Sequence, residues 1–191
     1  MGEAAPRQGL GSFFRAIVDF LDERGLREKV RAEVSPATRG LMDAPPRPLS
    51  FLPSTPIDEM EAALQKLAGP DACVDCGMAC ARPLGWSLLQ PVLRMVFQLF
   101  GQSPAPVFEN LDRFFSLVTR GIEFSWERKD KGGLVLARFN GEGTPEAAFH
   151  VLRGTLLFAF EVSGTSGEVS PPEVIESTAG DTVVRYQVRW G

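Results

Sequence analysis

The apolar positions of this chain follow a helical period through its first half and an alternating one after it. Leu10, Phe13, Phe14, Ile17, Val18 and Leu21 recur three and four residues apart, the spacing that stacks side chains on one face of an α-helix. The helix is capped by Ser12 or starts slightly earlier, and Gly25 interrupts the run. Leu26, Val30 and Val34 mark a shorter helix with a narrow apolar stripe, and Arg27, Glu28, Lys29, Arg31 and Glu33 make its solvated faces. Residues 43–56, DAPPRPLSFLPSTP, carry too much proline for a helix interior or a central strand. They read as an ordered connector, pinned to the body by Leu49, Phe51 and Leu52. Thr55-Pro56 then opens a helix, with Asp58, Glu59 and Glu61 as favourable charges at its positive end and Met60, Ala63, Leu64 and Leu67 as its apolar side. Gly69-Pro70 breaks it, and Asp71 can cap the next. The tract from Leu88 to Phe100 is the most hydrophobic helix of all, expected to be buried on several sides. Ser103 and Pro104 start a further helix through Val107, Leu111, Phe114, Phe115 and Val118, closed by Gly121.

From Ile122 the period changes to two. Ile122, Phe124 and Trp126 alternate with Glu123, Ser125 and Glu127, the pattern of a half-buried strand. KDKGG is a hairpin turn, and Leu134 to Phe139 returns as its partner strand. A helix follows from Thr144-Pro145-Glu146 to about Phe160. Strands return around Val169, at Val174-Ile175 and from Val183 to Trp190, with Gly180-Asp181 as a turn. Helices followed by strands argue an α+β fold: an N-terminal helical half packed on a roughly four-stranded antiparallel sheet, with one helix between the strand pairs. The expected organisation is a helical N-terminal arm over 1–44, the proline-rich connector over 45–55 and an α+β domain over 56–191. The arm's amphipathic helix is free in principle to dock on its own domain, on a second copy or on another protein.

Composition narrows the classes. At 44% hydrophobic and 23% charged residues, the chain can build a core without disulfides. A net charge of -4 leaves no concentrated basic surface for phosphate, so nucleic acid is not an expected partner. The start, MGEAAPRQGLGSFF, lacks a basic stretch before a long apolar run, which argues against a secretory signal. No tract reaches the roughly 20 apolar residues of a membrane span. A cytoplasmic location with reduced thiols is expected.

All three cysteines lie in CVDCGMAC, residues 73–80. On a helix, Cys73, Cys76 and Cys80 fall within about 60° of one another, a narrow stripe in which cysteine acts as a small hydrophobe. The sharper reading is a metal site, with His150 completing a set of three thiolates and one imidazole. A redox pair of Cys73 and Cys76 would draw a lowered pKa from the helix start. His150, the only histidine, otherwise reads as a structural side chain on an apolar helix. There is no G-x-S-x-G elbow and no phosphate loop, so no catalytic residue and no cofactor is expected. Gly154, inside a helix, costs about 1 kcal/mol relative to alanine, which points to close helix–sheet approach or to a ligand. Phenylalanine is abundant, 14 against one tyrosine. Phe97, Phe100, Phe115, Phe149 and Phe158 are the candidates to line a pocket between the helical half and the sheet.

The segments SPAPVFENLDRFFSLVTRGIEFSWE, HVLRGTLLFAFEVSG and YQVRW resemble a myxobacterial family of paralogous proteins of similar length, whose members carry no assigned function. The pattern is a helix with an Arg-Gly break, two strands, a helix with an embedded glycine and a strand ending Arg-Trp. More distantly, residues 55 to 190 are similar to the α+β fold shared by four-vinyl-reductase domains, heme nitric-oxide-binding domains and TRAPP subunits. The resemblance implies a scaffold that holds a small apolar ligand or offers a flat face to a partner. It carries no heme over. Heme sensors of this fold need a proximal histidine and a Tyr-x-Ser-x-Arg triad, whereas this chain has only His150 and reads Tyr186-Gln187-Val188-Arg189.

Three functions are therefore open. The first is a non-enzymatic regulatory or signalling domain acting on a protein partner or as a homodimer. The second is a sensor binding a small apolar ligand in a Phe-lined cavity. The third is a metal or redox protein built on the C-x2-C-x3-C helix. An enclosed apolar cavity would favour the second, an exposed apolar patch the first and convergent thiolates the third.

Overall fold

The structure is a computed structural model that describes residues 6–84 and 103–191. The expected helix over 88–100 lies outside these residues. Strand β1 (Gln8–Leu10) leads into α1 (Gly11–Glu23), then α2 (Arg27–Glu33), α3 (Pro36–Asp43), β2 (Phe51–Pro53), α4 (Thr55–Ala68) and α5 (Pro70–Leu84). After the gap come α6 (Ala105–Glu109), α7 (Leu111–Phe115), β3 (Thr119–Arg120), β4 (Ile122–Lys129), β5 (Gly132–Asn140), α8 (Glu146–Ser163), β6 (Gly167–Val169), β7 (Glu173–Ser177) and β8 (Asp181–Trp190).

The α+β architecture is the expected one, with five strands in the main sheet. β4 and β5 form the hairpin, with Ile122 opposite Phe139 and Lys129 opposite Gly132. β8 pairs with β5 along nearly its whole length. Its other edge is shared by β6, opposite 188–190, and β7, opposite 182–185. All pairings are antiparallel, which lets α8 enter between β5 and β6 and cover one face.

A second, small sheet escapes the sequence pattern. β1 sits between β2 and β3, with Gln8 opposite both Pro53 and Arg120. Pro53 is tolerated because β2 is an edge strand. This sheet ties the N-terminal segment to the body. Phe14, Ile17 and Leu21 of α1 are fully buried in one cluster with Met60 and Leu64 of α4 and the three cysteines of α5. The segment expected as an arm thus docks on its own chain.

One helix was not expected and one expected helix is interrupted. Ser35 caps a new helix by accepting from the Thr38 amide, with Pro36 in its first turn. The helix expected from Ser103 to Gly121 splits at Asn110, whose amide side chain bonds the Pro106 carbonyl and whose backbone leaves the helical region. Asparagine offers the backbone such an alternative partner. The last residues of that segment become β3. Ser12, a candidate cap of α1, makes no capping bond, and its buried hydroxyl has no partner among the described residues.

The core has two halves, and α8 belongs to both. Ala147 and Val151 join the helical cluster, while Phe149, Leu152, Leu156, Ala159 and Phe160 pack on the sheet with Phe139, Val184 and Tyr186. A helix apolar on all sides is buried on all sides. On its helical side α8 crosses α5 at backbone contact. A Cβ on Gly77 would stand 1.9 Å from the Val151 carbonyl oxygen, and one on Gly154 would stand 2.0 Å from that of Val74. Gly154 is therefore explained by helix–helix approach, where the sequence pointed to helix–sheet packing. Arg82 closes the far end of this crossing on Glu161, 2.9 Å away.

Candidate ligand cavity

α4 begins beside β1, and this junction builds one wall of a cavity. Arg7 bonds both carboxylate oxygens of Asp58, at 3.1 and 2.7 Å, and Ser54 donates to the same carboxylate at 3.0 Å. The two charged side chains are 8% and 17% exposed. Paired in this way they tolerate burial that neither would accept alone. Three residues deeper along α4, Glu61 reaches the same space.

The cavity lies where the helical half meets the sheet and has a volume of about 140 Å³. α8 contributes Ala148, Val151, Leu152, Thr155, Leu156, Phe158 and Ala159. The segment from Val107 to Ile122 contributes Phe114, Phe115, Val118 and Thr119 among others, and Phe13, Ile57 and Phe139 complete the apolar lining. Phe115 is held by an aromatic contact with Phe124, their centroids 4.4 Å apart.

Of the expected pocket residues, Phe115 and Phe158 line this cavity, and Phe97 and Phe100 fall outside the described residues. Phe149 does not line it. It packs on Phe139 with centroids 5.1 Å apart and borders a separate, more polar depression with Thr144, Pro172 and Thr182. The reason is helical geometry: nine residues turn a helix by about 900°, so Phe149 and Phe158 leave opposite sides of α8.

Glu61 was legible only as a favourable charge near a helix start. In the structure it is 3% exposed, between Met60 and Leu64 on the buried side of α4. The signal was its spacing, four residues after Ile57 and three before Leu64, which puts a carboxyl on the apolar face. Burial pushes this carboxyl well above its ordinary pKa, with Asp58 adding to the rise and Arg7 opposing it. Burial therefore favours the protonated, neutral form of this carboxyl.

The cysteine stripe is packed inside the helical cluster. Cys73, Cys76 and Cys80 are all fully buried and free. The Cys76 and Cys80 sulfurs lie 4.0 Å apart, and Cys73 faces the Glu61 carbonyl at 3.8 Å. His150 is not brought to them. Its Nε2 stands 3.5 Å from Glu146, and its buried Nδ1 has no partner among the described residues. Among those residues no three His, Cys, Asp or Glu side chains converge in a way that could hold a metal. Burial pushes the Cys73 thiol up to about 12. The Cys80 thiol together with burial raises Cys76 as well, the opposite of what a redox pair needs. Native protein at pH 7.5 is accordingly expected to resist iodoacetamide at Cys73 and Cys76, with labelling by mass spectrometry appearing only on denaturation. Rapid labelling of the native chain would show these sites to be open.

No protein-family model matches the chain, and neither does any curated protein sequence. Solved structures do match. A variant of the H-NOX protein of K. algicida, in the Fe(II) unliganded form, superposes with a TM-score of 0.71 at 13% identity, over 95% of this chain and 96% of that one. The parent K. algicida protein gives 0.70 at 12%. An oxygen-binding H-NOX domain related to soluble guanylate cyclases, in its oxygen complex, gives 0.60 at 10%, over 94% of each chain. At these identities the likeness defines the fold: this chain has an H-NOX-like α+β fold. No helix among the described residues is long and apolar enough to cross a membrane.

Proposed function

We propose that this protein is a sensor or carrier domain that binds a small apolar molecule in the cavity between its helical half and its sheet. The observation that carries this reading is the cavity itself, lined mostly by apolar side chains from both halves of the core. The fold likeness supports it, since one of the H-NOX neighbours is an oxygen-binding domain solved as its oxygen complex. Among the described residues the exposed large apolar side chains, Leu49, Leu67, Leu117, Val174 and Ile175, are spread over four segments, which favours the cavity over a flat partner surface. No catalytic role is assigned.

The iron of the neighbours' names does not fit the described lining. Heme iron takes an axial ligand from histidine, cysteine, methionine or tyrosine, and none of these is among the described residues lining the cavity. His150 is directed to Glu146, and the single tyrosine, Tyr186, donates its hydroxyl to the Phe149 carbonyl at 2.9 Å. The size points to something smaller. Engineered apolar cavities of about 150 Å³ take up benzene or xenon.

Toluene is a suitable probe. In a methyl NMR titration, Val118, Val151, Leu152 and Leu156 should shift and saturate together. Ala148→Leu, which fills the space from α8, should abolish the response while leaving the fold intact. Shifts confined to surface methyls such as Leu49 or Val174, or none at all, would refute the reading.

A further inference from the structure

Among the described residues that are buried and polar, Glu61 alone makes no side-chain hydrogen bond. Four polar side chains are buried among the described residues: Thr38, Glu61, Asn140 and Ser163. Thr38 bonds the Ser35 hydroxyl at 3.2 Å, Asn140 reaches Glu123 at 3.5 Å, and Ser163 donates to the Ala159 carbonyl at 2.8 Å. No hydrogen bond from the described residues meets the Glu61 carboxyl, although the residue lines the cavity. Arg7, the cation that acts on Glu61, directs its two side-chain hydrogen bonds to Asp58. A leucine or methionine would pack here without penalty, and burying an unpaired polar group costs a protein several times what an exposed one does.

We infer that Glu61 is the polar anchor of the cavity: the ligand is a small, mainly hydrocarbon molecule with one neutral oxygen head, a hydroxyl or carbonyl, seated on the Glu61 carboxyl. The inference rests on the cavity reading above and adds the chemistry of the head group. A neutral carboxylic acid both donates and accepts. It therefore completes a hydroxyl or a carbonyl, and it does so without placing a net charge beside the Arg7–Asp58 pair. The hydrocarbon part then lies along Leu152, Leu156 and Phe158, where the one polar side chain that α8 brings to the lining, Thr155, already donates its hydroxyl to the Val151 carbonyl at 3.1 Å. A pure hydrocarbon of the same shape leaves the acid unpaired. This is the arrangement by which buried polar groups discriminate most strongly between otherwise similar ligands.

The test compares toluene with phenol, which differ by a methyl and a hydroxyl, by calorimetric titration of the full chain and of its Glu61→Leu and Glu61→Gln variants. The preference for phenol over toluene should fall about tenfold or more in Glu61→Leu and largely survive in Glu61→Gln, whose amide also donates and accepts. On wild-type protein, phenol should also shift the infrared carbonyl band of the protonated carboxyl, a band that Glu61→Gln lacks. That readout holds even where a variant does not fold. Binding of both probes with an unchanged preference and an unmoved band would overturn the anchor while leaving the cavity standing. Binding of neither would overturn the cavity reading and the anchor with it.

Discussion

Gly154→Ala is expected to destabilise the protein by about 3 kcal/mol or more, although alanine is the better helix former by about 1 kcal/mol. Intrinsic preference and packing oppose each other at this position, and the geometry decides between them. The new methyl would stand 2.0 Å from the Val74 carbonyl oxygen, and 2.9 Å from the Met78 nitrogen. Both obstacles are backbone, so no rotamer change relieves the clash. α5 and α8 would have to separate, and the cores on both sides of α8 would loosen with them. Gly77→Ala meets the Val151 carbonyl in the same way and should cost a comparable amount. Because the two substitutions open one crossing, their effects should not add: the double variant should lose markedly less than the sum. Urea unfolding of the three variants measures this. A Gly154→Ala protein as stable as wild type would mean that the helices do not cross so closely.

The second large effect concerns pH. An acid whose pKa is raised by folding holds its proton in the native state while the unfolded chain releases it. Between the ordinary glutamate value of 4.5 and the raised native one, the native state binds more protons, so stability falls as pH rises. The slope from one such proton is on the order of 1 kcal/mol per pH unit. Glu61→Gln removes the titration and keeps the shape. It should therefore match wild type near pH 4 and gain on it as pH rises above the ordinary glutamate value. The charged or titratable groups that act on Glu61 are Arg7, Asp58 and, from α5, the thiols of Cys73 and Cys76. The thiols, pushed up by burial, stay neutral across this range, and both proteins keep Arg7 and Asp58, so the difference between the two melting curves isolates Glu61. Parallel curves from pH 4 to 8 would place its carboxyl in water.

The larger elements were legible because their periods are long and uninterrupted. α8 was expected from 145 to about 160 and runs from Glu146 to Ser163. The β4–β5 hairpin follows its alternation, but its turn is Asp130-Lys131 alone, and both glycines of KDKGG pair within β5. What escaped was set by partners distant in the chain. Three residues of β1 carry no periodic signal, and they become a strand only because Phe51–Pro53 and Thr119–Arg120 lie on either side. The break at Asn110 depends on one side-chain bond. The face of α8 that meets the cavity could not be read from hydrophobicity, since every face of that helix is apolar. Glu61 shows a different limit. Its spacing was visible, but a charged residue near a helix start has a sufficient explanation in the helix dipole, and that explanation concealed the apolar face it occupies.

The small sheet carries a consequence for the order in which the molecule can be made. Gln8 and Gly9 line the cavity beside Thr119 and Arg120, their partners in β3. During synthesis the first pair waits at the tunnel exit while more than a hundred further residues are translated, and long-range closures of this kind come late. α1 can settle against α4 and α5 well before then. The cavity's rim forms only after β3 has emerged, and its α8 wall later still. The cavity is therefore complete only once α8 has emerged, and occupancy of it would reward folding only from that step onward.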